Sequence, residues 1–228
     1  MQALLFALLM LFVTADQPGT MRTTSGEVVP DSAAFAAEDF FDMLLDVCPK
    51  DPEFCLRNYE FNYFEGLQRA YLEDPWVAVV LTFDDFRKTP FQDLMRTARF
   101  NYYAFPIVLK SEFMGLIKIC DDPRGSRRNW FNCGVRGPSR IAELNTYNLT
   151  LAPSSDSLTV VCVLTVENNS RYIIVRKPAG IFAIPASDVA CQLMQVNVRH
   201  VSRMTMFPLA DTMYKIVQTI QQRDRFKQ

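Results

Sequence analysis

The chain has 228 residues and a formal net charge of −1, from 24 Lys and Arg against 25 Asp and Glu. That balance argues against a nucleic-acid binder, which carries a basic excess to hold phosphate. With 49% hydrophobic and 21% charged residues the chain is not a disordered one, and its length fits one or two domains. A single His removes His-pair metal sites and most His-based chemistry.

The N-terminus sets the expected compartment. Ala3 to Val13 is an unbroken apolar run of eleven residues, followed by the small-residue pattern Val13-Thr14-Ala15. At about 1.5 Å per residue such a run cannot cross a hydrocarbon core of about 30 Å. It reads as a secretory signal over residues 1–15, although Met1-Gln2 offers only the terminal amine as positive charge. Later apolar runs are short or interrupted by charge, so no membrane anchor is expected and the mature chain enters an oxidising lumen. Asn148-Leu149-Thr150 and Asn168-Asn169-Ser170 are glycosylation acceptors, which makes Asn148 and Asn168 candidate sites. Six Cys, an even number, are compatible with disulfides.

Residues 16–31, rich in Thr, Ser, Gly and Pro, read as a flexible arm. A helix is expected from Asp31-Ser32, with either residue as cap, carrying Phe40, Met43, Leu44 and Val47 at helical spacing and stopped by Cys48-Pro49. The aromatic segment from Tyr59 to Tyr71 reads as core packing in preference to a partner-binding face. Trp76 to Phe83 suits a buried strand or a short helix. Phe86 to Phe105 suits a helix with Phe91, Leu94, Met95, Ala98 and Tyr102 on one face, ended by Pro106.

Residues 121–140 form the longest irregular stretch, with five arginines: Arg124, Arg127, Arg128, Arg136 and Arg140. The charge reads as a solvated loop, with Trp130-Phe131 as an exposed anchor beside it. A Cys120–Cys133 bond would close a loop of about a dozen residues, worth about 3 kcal/mol in the chain-entropy model. Leu158, Val160, Cys162, Leu164 and Val166 alternate with Thr159, Val161, Val163 and Thr165. The turn Glu167-Asn168-Asn169-Ser170 and the return Tyr172-Ile173-Ile174-Val175 complete a hairpin. Both faces of its first strand are largely apolar, so each needs a cover. Helices are expected from about Pro185 to Gln195 and after Pro208, the latter with Leu209, Met213, Ile216, Val217 and Ile220 in register. Together these give an α+β class. A small antiparallel sheet, the hairpin at about 158–176, packs with several helices in one disulfide-supported domain over residues 32–228.

The sequence offers no catalytic constellation. The eight glycines form no phosphate loop, and His200 lies near no cysteine. Asp84-Asp85 and Asp121-Asp122 are adjacent carboxylates that do not face each other in a regular element, so they read as solvated turns or caps. The cysteine spacing matches no zinc site. No enzyme, cofactor or metal is expected. A secreted, disulfide-capable, aromatic-rich chain points to an extracellular interaction protein.

Several segments resemble the glycoprotein L family of herpesviruses, most of all its betaherpesvirus branch. Asp46-Val47-Cys48-Pro49 through Phe54-Cys55-Leu56 is similar to the family's early C-P-x5-C-L element. Gly115-Leu116-Ile117 and the Cys120-to-Cys133 loop resemble its mid-chain cysteine loop. Leu149 to Pro153, Leu158 to Val166, Glu167-Asn168, Arg171 to Arg176 and Ile181 to Cys191 resemble its later hairpin and helix.

The resemblance implies a subunit without a membrane span. It is held at the virion envelope and host cell surface by a membrane-anchored glycoprotein H-like partner in a heterodimer, supports receptor engagement and membrane fusion, and in the betaherpesvirus branch meets further accessory glycoproteins. It makes Cys48 and Cys55 candidates for a disulfide to the glycoprotein H-like partner and Cys120 a candidate for one to an accessory subunit. The family carries a further Cys where this chain reads Gly134 to Ser139. That departure leaves Cys120, Cys133, Cys162 and Cys191 as candidates for bonds within the chain. The alternative reading is a self-contained secreted binding protein, an immune modulator or a ligand carrier, the carrier requiring a closed apolar cavity.

Overall fold

The computed structural model describes residues 21–59, 61, 63–122, 129–136, 158–197 and 206–225. Its strands are β1 (Tyr71–Leu72), β2 (Trp76–Leu81), β3 (Arg99–Leu109), β4 (Glu112–Asp122), β5 (Asn129–Arg136), β6 (Thr159–Val166), β7 (Arg171–Lys177), β8 (Gly180–Pro185) and β9 (Phe207–Pro208). Its helices are α1 (Asp31–Val47), α2 (Pro52–Tyr59), α3 (Phe83–Lys88), α4 (Leu94–Thr97), α5 (Asp188–Met194) and α6 (Leu209–Arg225). The class is α+β, but the sheet is far larger than the expected hairpin. Nine strands run in the order β5-β4-β3-β2-β6-β7-β8-β9, with β1 beside β3. Two antiparallel meanders, β2 to β5 and β6 to β9, meet at one parallel pair, β2 with β6.

Both faces of the sheet are buried at this seam. On one face Val77, Tyr103, Phe105, Ile107, Ile117 and Ile119 meet α1. Farther along the same face Leu164, Val166, Tyr172, Ile174 and Ala183 meet α5 and α6. Val79 packs against both groups, because it lies beside Leu164 in the parallel register. The opposite face carries Trp76, Ala78, Tyr102, Ala104, Val163, Ile173, Val175 and Ile184.

A bulge corrects the simple alternation expected for β6. The register against β7 shifts between Val160 and Cys162, so Val160 and Val163 share one face while Cys162, Leu164 and Val166 share the other. One extra residue inverts the side of everything that precedes it. Val161, at the bulge, is only half-buried, whereas Val163 is fully buried.

The expected helix over 86–105 is a second correction. Only α3, a 3₁₀ turn over Phe91–Asp93 and α4 are helical there, and the chain becomes β3 from Arg99. Thr89 is extended, as a residue before proline is disposed to be. Beyond it the aromatic run alternates as a strand, Tyr102 and Ala104 to one face, Tyr103 and Phe105 to the other. Pro106 sits inside β3 and does not end an element. Its carbonyl accepts from Glu73 N at 2.9 Å, on the side of the linker between β1 and β2. A strand residue's N and O point to the same side, so the missing N–H also faces that linker and costs no ladder bond to β4.

Smaller corrections concern the ends of elements. Pro30, not Asp31 or Ser32, is the N-cap of α1, and Asp31 occupies the first turn. Ser187 caps α5 by accepting from Ala190 N at 3.2 Å, so this helix starts after Ser187, while Pro185 still pairs with Tyr172 in the sheet. Within the arm expected at 16–31, the described residues from Met21 make tertiary contacts, with Gly26 to Val28 exposed. Arg22 bridges Val28, Val29 is fully buried, and Thr24 donates from its backbone to Pro75 O and from its hydroxyl to Val160 O at 2.9 Å. The residues from 121 to 140 that are described belong to β4 and β5.

Candidate interaction surface

The cysteines pair along the chain. Cys48 bonds Cys55 with Cα atoms 5.6 Å apart, and Cys120 bonds Cys133 with Cα atoms 5.7 Å apart. The first bond is built locally. Helix α1 buries Ala33, Ala37, Phe41 and Leu44 against the sheet, and the stripe ends on Cys48. Asp51 then caps α2 by accepting from Phe54 N at 2.8 Å, Pro52 fills the first helical position, and Cys55 turns back to Cys48. Both sulfurs lie on fully buried residues.

The second bond crosses from β4 to β5, with Cys133 exposed at the strand. In this structure Cys48, Cys55 and Cys120 therefore have their sulfurs occupied within the chain, and none is open to a second chain while those bonds stand. Cys162 and Cys191, also candidates for internal bonds, are free and buried. They belong to different core clusters and are not bonded to each other. Burial pushes the Cys162 thiol up to about 12, helped by the charge of Glu27, and the Cys191 thiol up to about 11, helped by Asp188. Both stay protonated and are poor nucleophiles.

Around the first disulfide exposed apolar side chains stand among charged ones. Tyr59 meets Phe40 and Phe54 edge-on, with centroids 5.3 and 5.8 Å apart, and Leu56 and Tyr63 are exposed nearby in sequence. Phe35 on α1 is 67% exposed. The outer face of α1 also shows Asp31, Glu38, Asp39, Asp42 and Asp46, with no Lys or Arg between residues 31 and 47; Lys50 beyond the helix pairs with Asp46. On the face of the sheet that meets α1, Phe100, Tyr103 and Trp130 form a ring cluster with centroids 4.9 to 5.9 Å apart, whereas exposed Phe131 pairs across from Cys120, which packs on the other face. Among the described residues, seven of the nine exposed large apolar side chains lie between Val28 and Phe131, and only Val189 and Tyr214 belong to the second meander and its helices.

The aromatic segment from Tyr59 to Tyr71, expected as core packing, is partly exposed. Phe61 and Leu67 are core, while Tyr63 and Tyr71 are surface. Sequence reading located Phe131 as exposed but missed Phe35, Leu56 and Phe100. Phe35 had a local signal, since it shares a helical stripe with Asp31, Glu38, Asp39 and Asp42.

The carboxylate pairs play structural parts. Asp85 closes a capping box with Thr82, accepting from Thr82 N at 2.6 Å, and Arg99 reaches the same carboxylate at 3.2 Å. Asp84 pairs with Arg87 and Lys88 on the surface. Asp121 lies within β4 opposite Trp130, not in a turn. Asn168 lies in the β6–β7 turn, where its Oδ1 accepts from Ser170 N at 3.0 Å and Ser170 Oγ at 2.6 Å. Asn148, His200, Arg124, Arg127, Arg128 and Arg140 lie outside the described residues, as does the side chain of Arg136. Among the described residues no group of three or more His, Cys, Asp or Glu side chains gathers as a metal site, and no helix is long and apolar enough to cross a membrane.

No protein-family model, no curated protein and no solved structure matches this chain.

Proposed function

We propose that this chain is a secreted binding subunit. It takes its membrane attachment from a partner and presents the aromatic surface of its first half to that partner. The observation that carries this reading is that seven of the nine exposed large apolar side chains among the described residues lie between residues 28 and 131, against Val189 and Tyr214 in the described part of the second half. Large apolar side chains left in water near one another mark binding surfaces, and aromatic anchors supply most of the energy at such surfaces. The sequence resemblance gives the partner its identity in this proposal: a glycoprotein H-like ectodomain, in a complex through which a herpesvirus engages receptors and fuses membranes.

Expression in a secretory cell tests it. The chain alone is expected in the medium, or in the lumen but extractable by carbonate. With the glycoprotein H-like partner it is expected at the cell surface. Phe35→Ser with Leu56→Ser should abolish surface retention and leave secretion of the chain alone intact. Retention by the double variant equal to wild type would refute the assigned surface.

The self-contained secreted binder has one observation in its favour. All four disulfide-bonded cysteines pair inside the chain, and the two free ones, Cys162 and Cys191, are buried away from a second subunit. A chain that is monomeric beside the folded partner would favour it.

A further inference from the structure

We propose that Asn168 receives an N-linked glycan before the chain folds, and that closure of the β6–β7 turn then fixes the glycan at a solvent-facing end of the sheet that no partner covers. The inference rests on the secretory reading above, because only the lumen supplies the donor, an oligosaccharide on a lipid pyrophosphate. In the reaction the Nδ2 of Asn168 forms a bond to the anomeric carbon of the first sugar, one Nδ2 proton is lost, and the lipid pyrophosphate leaves.

The acceptor Asn168-Asn169-Ser170 is closed on itself in the folded turn. The Oδ1 of Asn168 accepts from both the backbone and the hydroxyl of Ser170, and Ser170 is fully buried. Val166 N donates to Ser170 O at 2.9 Å and Asn169 N to Val166 O at 2.8 Å, which locks the backbone around the site. Asn169 holds a left-handed conformation at φ 63°, one that Asn adopts more readily than most residues. Ser187 Oγ holds the far side of the turn, donating to Asn169 O at 3.3 Å and accepting from Arg171 N at 3.0 Å. A transferase that needs an open, extended acceptor and a reachable hydroxyl finds neither here, so transfer precedes closure.

The product is nonetheless compatible with the turn. The bond forms at Nδ2 and leaves Oδ1 an amide acceptor, so both hydrogen bonds to Ser170 survive modification. Glu167 and Asn169 on either side are exposed, and Glu167 anchors the turn by accepting from Phe83 N at 2.7 Å. A branched polar glycan at this tip excludes a docking protein from the turn, which directs the partner to the aromatic surface of the first half.

The test uses the full chain secreted from cells, with the glycan located by mass spectrometry after enzymatic release. Asn168→Asp removes the Nδ2 acceptor and keeps the oxygen that holds Ser170, so the fold is retained while one glycan is lost. Asn148→Gln isolates the contribution of Asn168. For the timing, unglycosylated folded chain and the same chain reduced and alkylated are offered to purified transferase with lipid-linked oligosaccharide. Modification of Asn168 in the alkylated chain alone is expected, and equal modification of both would overturn the order of events. For the surface, the glycan should be as open to endoglycosidase in the partner complex as in the free chain, and protection in the complex would overturn the orientation. A chain secreted bare at Asn168 overturns this inference alone, whereas one never reaching the lumen overturns the proposed function as well.

Discussion

The bulge in β6 makes the sharpest demand on the protein. With unbroken alternation, Val161 and Val163 would lie on the same face and respond alike to substitution. The structure separates them: Val163 is fully buried between Ala78 on β2 and Ile173 on β7, while Val161 sits at the register shift and is half-buried. Valine to threonine keeps the shape and replaces a methyl by a hydroxyl, so it reports polarity with little change in volume. At Val163 the hydroxyl enters an apolar core built from Trp76, Ala78 and Ile173, where an unpaired polar group costs about 1–3 kcal/mol. At Val161 the hydroxyl has partial access to water, and the cost should stay below about 1 kcal/mol. A companion pair removes volume. Val163→Ala should cost about 2 kcal/mol from lost transfer energy and a cavity that only partly collapses. Val161→Ala should cost less than half of that. Urea unfolding of the secreted chain with its disulfides intact reads all four values as shifts in midpoint at constant slope. Equal shifts for Val161→Thr and Val163→Thr would refute the bulge and, with it, the assignment of Val160 and Val163 to one face.

Three further outcomes follow from particular contacts. Ser187→Ala removes the α5 cap and the acceptor for Arg171 N, and should cost about 1–2 kcal/mol in the same urea assay, against a near-neutral Val189→Ala at an exposed position of the helix. Asp85 is held below its usual value first by the Thr82 hydroxyl and backbone and then by Arg99. Its contribution is therefore present above the unfolded carboxylate value of about 3.9 and is lost as pH falls through the lower folded one. The midpoint difference between wild type and Asp85→Asn should thus be constant near neutrality and vanish in strong acid. A difference that persists there would contradict the capping box. Graded reduction followed by alkylation should label Cys120 and Cys133 before Cys48 and Cys55, since Cys133 is exposed and the other pair is buried, whereas Cys162 and Cys191 should label only on unfolding.

Legibility in the sequence tracked how local each determinant is. The β6–β7 hairpin and α6 were readable because apolar spacing and a polar turn lie within one short window; Leu209, Met213, Ile216 and Ile220 are the buried stripe of α6 as expected. Residues 86–105 mislead because Leu94, Ala98 and Tyr102 satisfy a helical period while Tyr103, Phe105 and Ile107 satisfy a strand period, and the break that Thr89-Pro90 puts inside the stretch plays no part in either pattern. The parallel pairing of β2 with β6 left no local trace at all, since it joins Ala78 to Val163 across three intervening strands. Without that seam the sheet looks like an isolated hairpin, which explains why its extent was underestimated. Exposure was the least legible quantity. Phe35 and Phe41 are the same side chain six positions apart on one helix, and only the docked sheet makes the first surface and the second core.

The closed disulfides change what a covalent complex with a partner would have to look like. If Cys48 or Cys55 joined a second chain, a partner thiolate would attack one sulfur of the pair, form a mixed disulfide with it and displace the other, which takes up a proton as a new thiol. A complex formed this way carries three free thiols on this chain, the displaced one together with Cys162 and Cys191. Attack also needs access, and both residues of this pair are fully buried beneath the α1–α2 corner, so that corner must open first. The Cys120–Cys133 bond asks for no such opening, because Cys133 is already exposed on β5. Exchange at the two sites therefore differs in kind. At the corner its rate follows local unfolding of α2 and should rise with mild denaturant, while at β5 it follows thiolate concentration alone. Thiol counting on the purified complex, with and without denaturant during assembly, separates the two routes. A covalent complex that retains only two free thiols on this chain would mean two bonds to the partner, since a single one leaves an odd number of the six cysteines to pair among themselves.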